Sequence, residues 1–317
     1  MPDLTPTPVN APDTTKDDPR LGHLLNSTER EATDASAVLL GFPVDQGVVR
    51  NGGRPGAADA PDRLRQWLYR MTPDARRHGA FVDLLRHMVD LGDLSTEATD
   101  ASLATMQSNL GAVLAPHLQR RRVPITLGGG HETAYGHFLG YVKAERDVSI
   151  LNWDAHADVR PLPDGQPHSG SPFRQALEHA SGRCRQYTVA GLLPHSTAPG
   201  HLHFIDEHDG HYVWNEDLSR EAVNRLYDRA TAPLMVTFDL DALDQTHAPG
   251  VSAPAAGGLS QNLWLHAAYQ AGRSPKVTSI DVVELNPNVD VDDRTARLAA
   301  LTVMEILRGL TDRMHRE

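Results

Sequence analysis

Val148-Ser149-Ile150-Leu151-Asn152-Trp153-Asp154-Ala155-His156-Ala157-Asp158 is the stretch that decides the fold. A short, mostly apolar run that stops at polar residues reads as a strand buried on both faces of a parallel sheet, with a loop after it. The pattern recurs. Ala37 to Leu40 runs into Gly41-Phe42-Pro43, and Val123 to Leu127 into Gly128-Gly129-Gly130. Gln186 to Ala190 runs into Gly191, Pro233 to Phe238 into Asp239, and Val277 to Val283 into Glu284. Between these runs, Ser102 to Arg122, Asn262 to Gly272 and Thr295 to Thr311 carry apolar residues at helical spacing. Arg120-Arg121-Arg122 suits a helix C-terminus, where positive charge is favoured, and reads as a solvated helix end. Strands alternating with helices predict an α/β fold with a mainly parallel sheet covered on both faces. In such sheets ligands bind just beyond the carboxyl ends of the strands.

Composition narrows the function. The chain has 317 residues, 40% of them hydrophobic, enough for a sizeable core; aromatics supply only 5%, so Leu, Val and Ala do most of the packing. The net charge of −11 argues against nucleic acid as a partner, because such a binder carries a basic face. The single cysteine, Cys184, excludes an intrachain disulfide framework and a cysteine zinc cluster. No apolar run approaches the ~18 residues needed to span a bilayer, and Met1 to Arg20 shows no basic-then-apolar signal pattern. A cytoplasmic protein is expected. Residues 1–35 begin with a Pro-, Thr- and Asp-rich stretch without periodicity and read as an arm, poorly ordered or draped on a neighbouring subunit. Residues 36–317 read as one catalytic domain.

The polar residues at the strand ends carry the chemistry. Asp154, His156 and Asp158 alternate after one strand, Asp239 and Asp241 after another, and His131 follows three glycines after a third. Side chains at alternate positions point the same way on a strand and can fan around a point at its end. A lone Asp-x-Asp or a lone His after glycine is more often structural. Here every one of these motifs closes a buried strand, and so many acids in one place repel without cations. Oxygen-rich ligation with some imidazole suits Mn2+ better than the tetrahedral sites of zinc. Two ions sharing carboxylates, ~3.5–4 Å apart, accommodate six ligands with positions left for solvent.

At these residues the chain resembles the ureohydrolases, the arginase and agmatinase family. The matching stretches are Gly128 to His131, Asp154 to Asp158, Phe238 to Asp241, Ala248-Pro249-Gly250, and Glu284 in Val283-Glu284-Leu285-Asn286-Pro287. The likeness covers about residues 37–310 and implies an arginase-like three-layer α/β/α sandwich. It implies one Mn2+ on His131, Asp154, Asp158 and Asp239, and a second on Asp154, His156, Asp239 and Asp241. Glu284 would face the cationic nitrogen group of a small amidine or guanidine, and Asp158 would pass a proton to the departing amine. Trimers or hexamers are common among such proteins, so a homo-oligomer is implied.

Asp45 to Ala57, Ser169 to Phe173, and Asn286-Pro287 with Asp290 and Arg294 to Arg297 resemble the formimidoylglutamase subgroup. In arginases and agmatinases a histidine precedes the glycine found here at Gly170. This chain has Ser169 there, with His168 one residue earlier as the alternative proton shuttle. N-formimidoyl-L-glutamate carries two carboxylates, which the planar fork of arginine matches. Arg50, Arg54 and Arg160, with Asn51 beside them, are the expected substrate-binding residues. The resemblance therefore implies hydrolysis to L-glutamate and formamide, a step of histidine degradation. Agmatine, arginine or another guanidino acid is the alternative substrate, with urea released. A catalytically silent metal-binding regulatory homologue is the non-enzymatic alternative.

Overall fold

The computed structural model describes residues 2–15, 17–25, 35–96 and 102–315. Within them nine strands form one sheet: β1 (Leu4–Thr5), β2 (Ala37–Phe42), β3 (Met88–Leu94), β4 (Val123–Gly128), β5 (Val148–Trp153), β6 (Cys184–Leu192), β7 (His211–Trp214), β8 (Leu234–Asp239) and β9 (Val277–Val283). Their order is β1-β3-β2-β4-β9-β8-β5-β6-β7, parallel throughout except for the antiparallel edge pair β1–β3. The six apolar runs read from the sequence are β2, β4, β5, β6, β8 and β9. β2, β4, β5, β8 and nearly all of β9 are buried along their length, as strands covered on both faces should be.

Helices cover both faces. On one side lie α5 (Leu103–Gln119), α6 (Thr133–Lys143), α7 (Pro172–Leu177) and α8 (Pro199–Glu207). The other side carries α1 (Leu21–Leu25), α3 (Ala60–Leu68), α4 (His78–Arg86), α9 (Arg220–Arg229), α10 (Gln261–Arg273) and α11 (Arg294–Met314). The short α2 (Gln46–Arg50) sits in the loop after β2. Successive strand residues alternate between the two cores: Leu39 packs with α3 and α11, whereas Leu40 and Phe42 pack with α5. Ser102, Ser219 and Ser260 cap α5, α9 and α10 by accepting from the backbone N–H of Thr105, Ala222 and Leu263. The result is the expected three-layer α/β/α sandwich. No helix among the described residues is long and apolar enough to cross a membrane.

Two features differ from the sequence reading. β3 contains Asp90, Gly92 and Asp93, a composition that argues against a strand. Its acids are matched from α3. The fully buried Arg65 donates through Nε and Nη2 to Asp90 at 2.8 and 2.9 Å and through Nη1 to Asp93 at 2.5 Å, while Tyr69 donates to Asp90 at 2.6 Å. The arm is also partly built into the fold. Leu4–Thr5 extends the sheet as β1, and Leu21 and Leu25 are buried against the α3–α4 side. Apolar residues spaced through a polar segment supply those anchors; residues 26–34 of the same stretch lie outside the described residues.

Candidate metal centre

All the strand-end motifs meet beyond four adjacent strands, β4, β9, β8 and β5, at the centre of the sheet. Two tight turns make alternate residues converge. Asp154 Oδ1 accepts from the backbone N–H of His156 at 2.6 Å, and Asp239 Oδ1 accepts from that of Asp241 at 2.8 Å. Each first aspartate thus bends its own chain back over the strand end.

His131 Nδ1 stands 2.8 Å from Asp239 Oδ2, 3.0 Å from Asp158 Oδ2 and 3.3 Å from Asp154 Oδ2. His156 Nδ1 stands 3.1 Å from Asp241 Oδ2 and 3.4 Å from Asp154 Oδ1. Two groups of possible ligands result, His131 with Asp154, Asp158 and Asp239, and His156 with Asp154 and Asp241, sharing Asp154. The spacing fits an ion. Neighbouring donors on an octahedral cation with ~2.1 Å bonds lie about 3 Å apart.

Hydrogen bonding and charge agree with that fit. His131 Nδ1 and Asp241 Oδ1 are buried without a hydrogen bond, the sort of orphan that a bound cation explains. Asp239 is pushed well above the ordinary carboxylate range by burial and then by the charges of Asp241 and Asp154. Burial also lifts Asp241, to about 6, against the pull of His156. Burial would raise Asp154 too, but hydrogen bonds and charge from His131 and His156 outweigh it and hold it low. His156 is raised to about 12, first by Asp241. His131 is raised because its three aspartates overcome burial. Extra protons therefore stand where the positive charge of metal ions would, and the two compete for the same lone pairs.

Two acids of the cluster are held in left-handed backbone, Asp158 at φ +45° and Glu284 at φ +69°. This conformation is costly for a side-chain-bearing residue and concentrates at functional sites. Glu284 Oε1 accepts from the backbone N–H of His131 at 2.7 Å. Its carboxyl is pushed well above its usual range by burial, then by Glu132 and Asp241. Glu132, fully buried and raised to about 7 by burial, takes the N–H of Gly47 at 2.6 Å. A Cβ at Gly47 or Gly130 would come within 2.6 or 2.1 Å of that carboxyl, so a side chain at either position would displace it.

A cavity of about 230 Å³ opens above the cluster, a size for a small metabolite. His156, Asp158, Asp239, Asp241 and Glu284 line it together with Asn51, Arg160, Ser169 and Ser252. Arg160 Nη1 donates to Asn51 Oδ1 at 3.1 Å, and Asn51 Nδ2 donates to Ser169 Oγ at 3.1 Å. A larger groove of about 480 Å³ lies between α9 and the first halves of β5 and β6, remote from these acids.

The structure therefore brings together the six expected metal ligands, Glu284, Asn51 and Arg160. It does not bring Arg50, Arg54 or His168 to the cavity wall. Arg50 donates to the carbonyl of Pro167 at 3.1 Å. Arg54 donates to the carbonyls of Val251 and Ser252, so its fork is spent on the loop after β8. His168 is buried, with Nε2 on the carbonyl of Pro161 at 3.0 Å and Nδ1 on the N–H of Gly170 at 3.2 Å; neither nitrogen is left to shuttle a proton. The sequence reading also passed over Glu132, Thr237 and Asp281. The last two are polar positions inside otherwise apolar strands, and that contrast was the available signal.

The arginase family model matches residues 35–308. The formimidoylglutamase of Rhodococcus jostii is 39% identical over 289 residues, 87% of this chain and 86% of the relative. That of Geobacillus thermodenitrificans is 35% identical over 283 residues, 86% of this chain and 84% of the relative. The crystal structure of Trypanosoma cruzi formiminoglutamase with Mn2+2 superposes with a TM-score of 0.83 at 31% identity, covering 94% of this chain and 100% of that one. From its strand-end acids and histidines, its sheet and these likenesses together, the chain belongs to the arginase family.

Proposed function

We propose that this protein hydrolyses N-formimidoyl-L-glutamate to L-glutamate and formamide with two Mn2+ ions. The observation that carries the proposal is the pair of ligand groups sharing Asp154 on the floor of a small cavity, in a chain whose relatives bear the name formimidoylglutamase. His131, Asp154, Asp158 and Asp239 would hold one ion, and Asp154, His156, Asp239 and Asp241 the other. When bound, the ions would supply a lowered pKa for water at the centre.

The chain's own groups account for the rest. Glu284 faces the substrate's amidinium, and the arriving cation offsets the burial and repulsion that otherwise keep its carboxyl protonated. This fixes the formimidoyl carbon over the cluster, which supplies proximity and orientation. Asp158 accepts a proton from the attacking water and delivers it to the glutamate nitrogen as the carbon–nitrogen bond breaks. Arg160, steadied by Asn51, has donors left for a substrate carboxylate, with Ser169 beside it. A cytoplasmic homo-oligomer, trimer or hexamer, completes the proposal on the strength of the family resemblance; light scattering tests it.

The test is a product assay on manganese-loaded protein with N-formimidoyl-L-glutamate, agmatine, arginine and guanidino acids. Formamide and glutamate from the first substrate, lost on chelation and restored by Mn2+, are expected. Urea from a guanidine substrate in preference would overturn the substrate assignment. Two tightly bound ions without turnover on any substrate would favour a silent homologue.

A further inference from the structure

Beneath the cluster runs a buried polar column that the reaction described above does not use. It begins at His131, whose Nε2 lies 3.0 Å from Thr237 Oγ1. Thr237 donates to Asp281 Oδ1 at 2.5 Å, and Asp281 Oδ2 lies 2.6 Å from His137 Nδ1. His137 Nε2 is 2.5 Å from Ser279 Oγ, which is 2.6 Å from the hydroxyl of Tyr141. Thr237, Asp281, His137, Ser279 and Tyr141 are all fully buried. Thr237 on β8 and Asp281 on β9 are direct partners in the sheet register, and His137 and Tyr141 lie one turn apart on α6. So much polarity inside otherwise apolar strands is costly unless every group is satisfied.

The proton positions follow from one residue. An ionised carboxylate only accepts. Asp281 therefore takes the Thr237 proton on one oxygen and the His137 Nδ1 proton on the other. Having given its proton away, Thr237 Oγ1 is left to accept, and the donor beside it among the described residues is His131 Nε2–H. On the other side, His137 Nε2 is left as an acceptor for Ser279, which in turn accepts from Tyr141. Two runs of donors thus converge on Asp281. The consequence at the top is a fixed tautomer: Nε2 of His131 keeps its proton, and the Nδ1 lone pair points at Asp154, Asp158 and Asp239.

We propose that Thr237, Asp281 and His137 are positioning residues that hold His131 in the tautomer and orientation a metal ligand requires. The inference rests on the two-ion reading above. Changing Asp281 to Asn puts a donor where only acceptors fit. If its amide nitrogen turns to Thr237, the threonine proton must swing to His131 Nε2, which moves the ring proton to Nδ1, into the space of the ion. If the nitrogen turns to His137, that ring must exchange tautomers against Ser279.

The experiment measures Mn2+ binding to the metal-stripped full chain by calorimetry, with free Mn2+ counted by electron paramagnetic resonance. Wild type is expected to bind two ions. Thr237→Val and Asp281→Asn should weaken one of them about 10–100-fold, the usual effect of losing a partner behind a metal-bound histidine. Thr237→Ser should keep wild-type affinity, because it restores the hydroxyl alone. Circular dichroism and melting of the metal-free proteins establish that the variants fold; should Asp281→Asn not fold, the Val and Ser forms of Thr237 decide. Folded Thr237→Val binding both ions as tightly as wild type overturns the inference and leaves the proposed function standing, as does a Ser form as weak as the Val form. Wild type binding no ion overturns both.

Discussion

Two clusters of buried acids in this molecule have opposite characters. Around β3, Asp90 and Asp93 are met by Arg65, whose guanidinium places four hydrogen bonds on Asp90, Asp93 and the carbonyl of Gly92. Gly41 leaves room for the Asp93 carboxylate, which a Cβ would strike at 1.6 Å. Beyond β4, β8 and β5, Asp154, Asp239 and Asp241 have no arginine or lysine ion-paired to them among the described residues, and His131 Nδ1 and Asp241 Oδ1 are orphaned. The first cluster is complete within the chain and ties β3, next to the sheet edge, to a helix. The second is incomplete and calls for cations from outside. Burial of acids does not separate structural from functional clusters; the source of the compensating charge does.

Reciprocal substitutions would break this comparison most sharply. Arg65→Met leaves the Asp90 and Asp93 carboxylates without their counter-charge and should cost about 3–5 kcal/mol, read as a lower denaturant midpoint with or without Mn2+. Asp239→Asn removes an acid that the metal-free fold bears at a cost. It should stabilise the metal-free protein, because burial and the charges of Asp241 and Asp154 no longer act on a carboxyl there, while abolishing tight Mn2+ binding. A fall in metal-free stability on Asp239→Asn would show that the second cluster is balanced within the chain after all.

A finer contrast lies among the arginines. Arg160→Ala should raise KM for the dicarboxylate substrate roughly 10-fold or more, the weight of a charged hydrogen bond, with a smaller loss in kcat. Arg54→Ala should leave KM near wild type and show its effect in melting, because its fork holds the backbone of Val251 and Ser252. Equal KM effects from the two variants would remove Arg160 as the carboxylate reader.

The effect confined to one pH window concerns a buried histidine whose charged neighbours, Arg122 and Arg120, share its sign. Burial, then Arg122 and Arg120, lower His117 to about 4. Between about pH 4 and its ordinary value of 6.5 the unfolded chain then binds the proton and the folded protein does not. Stability should rise with pH across that window and be lost as pH falls, by at most about 1.4 kcal/mol per pH unit. His117→Gln should flatten this part of the pH profile of metal-free protein; an unchanged slope would remove His117 as its source.

These contrasts also mark what was legible in the sequence. Buried parallel strands write themselves as apolar runs, and a residue just after such a run is placed by the strand itself, so β4, β5, β8 and β9 could be read, and with them the convergence of His131, Asp154, His156, Asp158, Asp239 and Asp241. β3 could not, since its acids become strand-compatible only through Arg65, on a different element. The short edges β1 and β7 carry too little pattern. The arginines failed for a related reason. A guanidinium goes to whichever acceptors the folded loops offer, and for Arg50 and Arg54 these were main-chain carbonyls. Thr237 and Asp281 read as minor interruptions of strands because their partners lie on other elements, His131 beyond β4 for Thr237 and His137 on α6 for Asp281.

The left-handed backbone at Asp158 and Glu284 has an evolutionary corollary. Glycine adopts that conformation freely, whereas an L side chain there costs roughly 1–2 kcal/mol. A gene copy released from selection for turnover therefore has a downhill mutational route at both positions, toward glycine, which would relax the fold as it erased the acids. Retired paralogues of this chain should carry that scar, a sturdier protein with glycine at position 158 or 284.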